Sequence, residues 1–253
     1  MKSIRKIIAV AALIGIVATA LSAQEVDTEA LLRRVDELAN FEETDFASTV
    51  TIISEDPEEG TERRVIRQFR RDREDKFLLL IQEPAVQRGQ GYLRIDDKLW
   101  IYDPESRQFT LSSARESFQG TDARNSDFEA SSYAEDYDAA SYTSGTLGRY
   151  DVWILDLEAT HSEVTYPRVR VWITADENNL VLKSEDYSST ERLVRTSYYP
   201  QYREVQGNFV VARAIFVDEL VEGRRTQIEI EDISLAPLPD SVFTKAYVER
   251  VNR

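Results

Sequence analysis

The stretch Gly91-Tyr92-Leu93-Arg94-Ile95-Asp96-Asp97-Lys98-Leu99-Trp100-Ile101-Tyr102-Asp103-Pro104 decides the fold. Two apolar runs flank Asp96-Asp97, and the second run stops at a proline. Aspartate tolerates turn conformations and proline cannot donate to a ladder, so the stretch predicts a β-hairpin. Successive side chains of a strand point to opposite faces, which puts Leu99 and Ile101 on one side and Trp100 and Tyr102 on the other. A strand at a water surface needs only one apolar face. This one has two, so apolar material lies on both sides of it: core twice over, or a core and a cavity.

The period of two continues in both directions. Strands are predicted at 46–54, 62–71 and 76–82 before the hairpin (91–96 and 98–103), then at 107–112 after it. Further strands follow at 149–159, 167–175, 179–187, 191–199, 208–219 and 225–235. Turns this short join antiparallel neighbours, since a parallel pair needs a long crossover. Residues 113–146 break the rhythm, as a lid or binding loop does in a compact domain. Their spaced aromatics, Phe118, Phe128, Tyr133, Tyr137 and Tyr142, predict short helices near 126–130 and 133–139 lying over the sheet. Over 26–39, Leu31, Leu32, Val35, Leu38 and Ala39 recur at helical spacing behind an Asp27 or Thr28 cap. At the other end Asp240 or Ser241 opens a short helix whose apolar face is Phe243, Ala246, Tyr247 and Val251.

The sum is a mainly β chain of about 11–12 strands, apolar on both faces of the sheet. A strongly curved antiparallel sheet with a greasy concave side, partly covered by helical segments, accounts for that pattern. Residues 24–253 fit one such domain. Ahead of it, Met1-Lys2-Ser3-Ile4-Arg5-Lys6, the apolar run 7–20 and Ser22-Ala23 have the form of a signal peptide cut after Ala23. The run is short for the ~20 residues of a membrane span. Gln24 stands where a lipoprotein would carry its acylated cysteine, so the expectation is a periplasmic protein with no lipid anchor.

Leu99-Trp100-Ile101-Tyr102-Asp103-Pro104 resembles the L-W-x-Y-(N/D)-P hairpin of the LolA-like family of outer-membrane lipoprotein-sorting proteins. Arg73, Phe77, Leu79, Ile81 and Pro84 are similar in spacing to the strand before that hairpin, and Asn125-Ser126-Asp127-Phe128 resembles the G-S-D-F element of a divergent branch. The resemblance implies an incomplete β-barrel of about 11 strands with an N-terminal helix and a helical lid, here at about 113–146. It implies a periplasmic carrier of lipoprotein acyl chains or other lipid, a monomer, loaded by an inner-membrane ABC-type transporter and unloaded to an outer-membrane acceptor. It also implies a role for Arg73 as the latch that hydrogen-bonds the lid, although Asp72-Arg73-Glu74 replaces the family's K-R-P. The large apolar residues on the strands, Phe77, Leu79, Ile81, Tyr92, Trp100, Tyr102, Trp153 and Trp172, are the cavity candidates, each also accounted for as plain core.

Composition narrows the alternatives. With 46 acidic and 31 basic side chains the formal charge is −15, which repels nucleic-acid and anionic-lipid phosphates. Any traffic with lipid is then with acyl tails. No cysteine is present, so disulfides, thiolate catalysis and Cys-ligated metals are out. His161, the single histidine, sits in a turn beside Ser162 and Glu163, where a solvated histidine is the plain reading. The sequence holds no nucleophile elbow, phosphate-cradling glycine loop or H-E-x-x-H. The acidic turns around 55–59, 135–138 and 176–177 lack the spacing of a calcium loop. No enzyme, cofactor or metal is expected. A second reading on the same scaffold is a lipid or lipoprotein sensor, or an accessory subunit of an envelope export complex.

Overall fold

Alternating strands joined by tight turns can only zip edge to edge, and they do so here into a single ladder. The structure, a computed structural model, describes residues 26–95 and 98–251. The leader and the Asp96-Asp97 turn lie outside the described residues. Helix α1 (Thr28–Ala39) comes first, its N-terminus capped by the Asp27 carboxylate, which accepts from the Ala30 amide at 2.9 Å. Six strands follow: β1 (Phe46–Asp56), β2 (Gly60–Arg71), β3 (Lys76–Glu83), β4 (Gly91–Ile95), β5 (Lys98–Asp103) and β6 (Gln108–Ser112). After a long connection come α2 (Tyr133–Asp136), β7 (Tyr137–Leu147), β8 (Tyr150–Ala159), β9 (Arg168–Thr174), β10 (Val181–Tyr187), β11 (Leu193–Val205), β12 (Asn208–Asp218) and β13 (Arg225–Ser234). Helix α3 (Lys245–Arg250) follows, capped by the Thr244 hydroxyl.

The strands form one antiparallel sheet in the order β6-β5-β4-β3-β2-β1-β13-β12-β11-β10-β9-β8-β7. Two meanders, β1–β6 and β7–β13, are sewn together where the first strand pairs with the last, Val50 opposite Ile230 and Ile52 opposite Ile228. The sheet has thirteen strands among the described residues, against about 11–12 expected. The extra one is β7, which the sequence reading left inside the 113–146 insertion. The true insertion is the β6–β7 connection, residues 113–136, and it joins the two free edges of the sheet. A twisted sheet this wide curls; its connection must therefore cross the open side.

Register defines the inner face without ambiguity. Stepping across the ladder, Ile101 pairs with Tyr92, Tyr92 with Leu79, Leu79 with Gln68, and Gln68 with Ser48. On the other half, Phe216 pairs with Ser197, Ser197 with Ser184, Ser184 with Val171, and Val171 with Leu155. Helix α1 covers the second half, burying Leu31, Leu32 and Val35 against Leu155, Leu157, Val169, Val171 and Ile173. The outer face of β3–β5 carries its own apolar cluster. There Leu78, Leu80, Leu93 and Tyr102 meet Val242, Phe243 and Val248 of the C-terminal segment. The buried residue of α3 is Val248, whereas Val251, expected on the apolar face, is exposed. The cap also sits later than expected, because a 3₁₀ turn over Asp240–Phe243 precedes the helix. No helix among the described residues is long and apolar enough to cross a membrane.

Candidate functional site

The β6–β7 connection inserts its aromatics into the curl. Phe118 and Phe128 are buried with ring centroids 4.8 Å apart, and Phe118 lies 4.7 Å from Tyr92. Around them gather Val50, Ile52, Ile66, Phe77, Leu79, Ile81 and Leu99. Of the predicted residues, Phe77, Leu79, Ile81 and Tyr92 therefore come together on the inner face, in a half of the sheet that the connection fills. Trp153 lies on the same face in the other half, partly buried in the α1 cluster and 6.3 Å from Tyr142. Trp100, Tyr102 and Trp172 stand on the outer face. Trp100 lies under the Lys245 ammonium at 3.1 Å, Tyr102 packs with Phe109 and the C-terminal segment, and Trp172 lies under Lys183 at 4.3 Å. Alternation places them there: each is one residue out of step with an inward neighbour.

The space left open lies elsewhere. A partly open cavity of about 320 Å³ lies between α1, residues 126–137 and the middle of the sheet. Its apolar wall includes Val35, Leu38, Phe46, Phe128, Val211, Ala214, Phe216 and Ile228. Ligand pockets run from about 300 to 1,000 Å³, so this one holds a single small apolar body as it stands. Five tyrosines, Tyr133, Tyr137, Tyr166, Tyr199 and Tyr202, share the lining. Burial pushes the Tyr199 phenol up to about 12, and raises the other four as well. They remain neutral hydroxyls at physiological pH. Adjoining the cavity is a larger, more polar groove of about 1,130 Å³, and Ser126, Glu129–Ser132, Asp136, Val164 and Thr165 border both.

Buried charge holds the connection down. Arg195 of β11 is 7% exposed and donates to Asp127 in the connection through two nitrogens, at 2.6 and 3.1 Å. Its Nε donates to Asp186 of β10 at 2.6 Å, and the guanidinium lies over the Tyr166 and Phe216 rings. Burial pushes the Asp186 carboxyl up, opposed by the Arg195 charge. Arg94 pairs with Glu129 at 2.9 Å, and burial likewise raises Glu129. From α1, Asp36 accepts from the Tyr133 and Ala134 amides at 3.0 and 2.8 Å and from the Ser131 hydroxyl at 2.5 Å. Asn40 exchanges two hydrogen bonds with the Ser131 backbone, each 2.7 Å. These bonds fasten the connection to the helix.

Arg73 takes no part in this. It pairs with Asp45 at 2.9 Å and donates to the Thr44 carbonyl at 3.3 Å, in the link between α1 and β1. The same Asp45 takes a bidentate grip from buried Arg71, which also reaches Asp240 and the Leu238 carbonyl, tying the C-terminal segment to the sheet. His161 sits 3.1 Å from Asp136 at the groove's edge. Sequence reasoning passed over Arg195 and Asp186, and met Asp127 only as part of the Asn125-Ser126-Asp127-Phe128 element, with no role for its charge. The available signal was that Asp186 and Arg195 fall in step with Ser184 and Ser197, so one face of β10 and β11 alternates into polar residues at a place where core is expected.

A family model described as "-like: Uncharacterized protein" matches residues 73–250, more than half of the chain. No curated protein matches. Among solved structures, a LolA superfamily protein from Nitrosomonas europaea is 26% identical, with a TM-score of 0.77 covering 88% of this chain and 100% of that one. A putative outer membrane lipoprotein-sorting protein domain from Vibrio parahaemolyticus is 19% identical with a TM-score of 0.77, over 88% and 98% of the two chains. A DUF1329 family protein from Desulfovibrio piger is 22% identical with a TM-score of 0.76, over 87% and 97%. At those identities the last two speak for the fold alone.

Proposed function

Since the chain belongs to the family matched over residues 73–250, within the LolA-like group of outer-membrane lipoprotein-sorting proteins, we propose that it is a periplasmic carrier sheltering an acyl chain of a lipoprotein or lipid. The observation that carries the reading is the apolar cavity beneath the β6–β7 connection. Burying hydrocarbon is worth ~0.8 kcal/mol per methylene, so a chain of ~16 carbons exposed to water costs on the order of 12 kcal/mol. A carrier lowers that barrier if it binds the chain and still lets it go. The connection is suited to this, because it lies across the open side of the sheet, held by the Arg195–Asp127 and Arg94–Glu129 pairs, by hydrogen bonds from α1 and by the packing of Phe118 and Phe128. Arg195 with Asp127, rather than Arg73, is the latch in this reading. The signal-like leader and the family resemblance support a periplasmic monomer that takes its cargo from an inner-membrane ABC-type transporter and passes it to an outer-membrane acceptor. The connection acts without a reaction at its heart: binding and release are the whole of the work.

The test is native mass spectrometry with lipid extraction on protein purified from its own periplasm, beside an Ala214→Trp variant. Ala214 is buried in the cavity wall, so an indole there fills the space from the sheet side. The expected result is a copurifying acyl lipid in the parent and at least tenfold less in the variant, with the thermal midpoint retained. Lipid-free parent protein that also fails to extract lipid from vesicles overturns the reading.

A further inference from the structure

The two adjoining spaces differ in chemistry, and that difference specifies the ligand more closely. We infer that the cavity and groove together take an amphiphile with one hydrocarbon tail and a cationic, ammonium-type head. The inference rests on the carrier reading and adds the class of cargo.

Three observations carry it. The cavity of about 320 Å³ has a mostly apolar lining, and it adjoins the polar groove along a shared border of Arg70, Ser126, Glu129–Ser132, Asp136, Val164 and Thr165. A space greasy at one end and wet at the other fits a molecule of the same build. Second, the groove has a sign. Eight carboxylate side chains line it against four arginines and lysines, and Arg70–Asp72 and Arg94–Glu129 are already neutralised as pairs, which leaves carboxylates such as Glu42, Asp75, Glu135 and Glu163 in excess. An anionic head placed there meets net repulsion, and a cation meets attraction focused by the walls. Third, the cavity is aromatic beside that border. Tyr133 and Tyr137, ring centroids 6.1 Å apart, line the cavity, and Asp136, next to Tyr137 in the chain, borders both spaces. Aromatic faces beside a carboxylate are the surroundings in which ammonium heads are held by cation–π attraction. The same wall already holds one cation this way, the Arg195 guanidinium over Tyr166.

The experiment compares three probes sharing a twelve-carbon tail: dodecyltrimethylammonium, laurate and dodecyl maltoside, each below its micelle concentration, titrated calorimetrically into the full-length mature protein. The expected order is cation, then maltoside, then laurate, with the cation at least tenfold tighter than laurate at low salt and the gap narrowing as salt screens the groove. In a Glu135→Gln/Glu163→Gln double variant the ratio of cation to maltoside binding falls several-fold. Both carboxylates line the open groove, and circular dichroism checks the fold. Laurate binding as tightly as the cation, or an unchanged ratio in the variant, overturns the inference and leaves the carrier reading standing. Binding of none of the three overturns the carrier reading, and the inference with it.

Discussion

Arg195 shows what a single side chain costs and holds in this molecule. A guanidinium buried between Asp186 and Asp127 is tolerable only because both carboxylates pair with it. Removing one member of such a set leaves uncompensated charge, at about 3–5 kcal/mol, so Arg195→Ala is expected to lower stability by that amount in urea unfolding. Asp127→Asn leaves the Arg195–Asp186 pair intact and loosens only the connection. Its expected signature is faster amide exchange over 113–136, with the core of β1, β2 and β13 unchanged. Had the latch been Arg73, the exposed partner of Asp45, Arg73→Ala would speed the same amides; no change there is expected. The residue scale is also where the sequence was least readable. Alternation separates Leu99 and Ile101 from Trp100 and Tyr102, but period two does not say which side is inside. That depends on α1 and the connection covering one face and the C-terminal segment the other, a long-range outcome.

At the scale of elements, the lid is a covalent link between sheet edges, fastened by α1. Asp36 caps α2 from the neighbouring helix, and Asp36→Ala, by leaving those amides without an acceptor, is expected to cost about 1–2 kcal/mol. Burial raises Asp36, Asp122 and Glu129 above their ordinary values. The sign follows: an acid raised in the folded state binds its proton more tightly there than when unfolded. These three therefore favour the closed arrangement as pH falls into the ordinary carboxylate range, and weaken it as pH rises through their raised values. Asp156, which Arg168 and Arg170 hold low despite burial, works in the opposite direction. Slower exchange of the 113–136 amides at pH 4 than at pH 8, beyond the intrinsic pH effect, checks the prediction. The C-terminal segment offers a separate handle. A Cβ at Gly91 would meet Val248 Cγ1 at 2.8 Å, so Gly91→Val is expected to lift α3 from the sheet and expose Trp100 to fluorescence quenchers. Twelve strands and α1 were legible because their apolar residues alternate or recur at helical spacing. Strand β7 was not, since Ala139-Ala140-Ser141-Tyr142-Thr143-Ser144-Gly145 is small and polar on both faces, as suits an edge lying against water.

For the molecule as a whole, the hollow survives between α1 and the middle of the sheet, with Phe128 as part of its wall. The inner face of β3–β5, where the predicted Phe77, Leu79, Ile81 and Tyr92 lie, is filled by Phe118 and Phe128. Volume left over after packing has no signature in a sequence, because a residue that lines a void and one that fills it are chosen for the same grease. The suture of β1 to β13 has a further implication, for the order of events during synthesis. The N-terminal meander spends its youth with β1 as a raw margin, and its proper neighbour is the last strand to be made. Only when β13 has been made can the two halves be stitched, so closure of the sheet is gated by a contact between its first strand and its last. A chain halted before residue 225 would be two adhesive fragments on one string, and weakening the Ile52–Ile228 rung should slow closure of the seam more than it slows either meander.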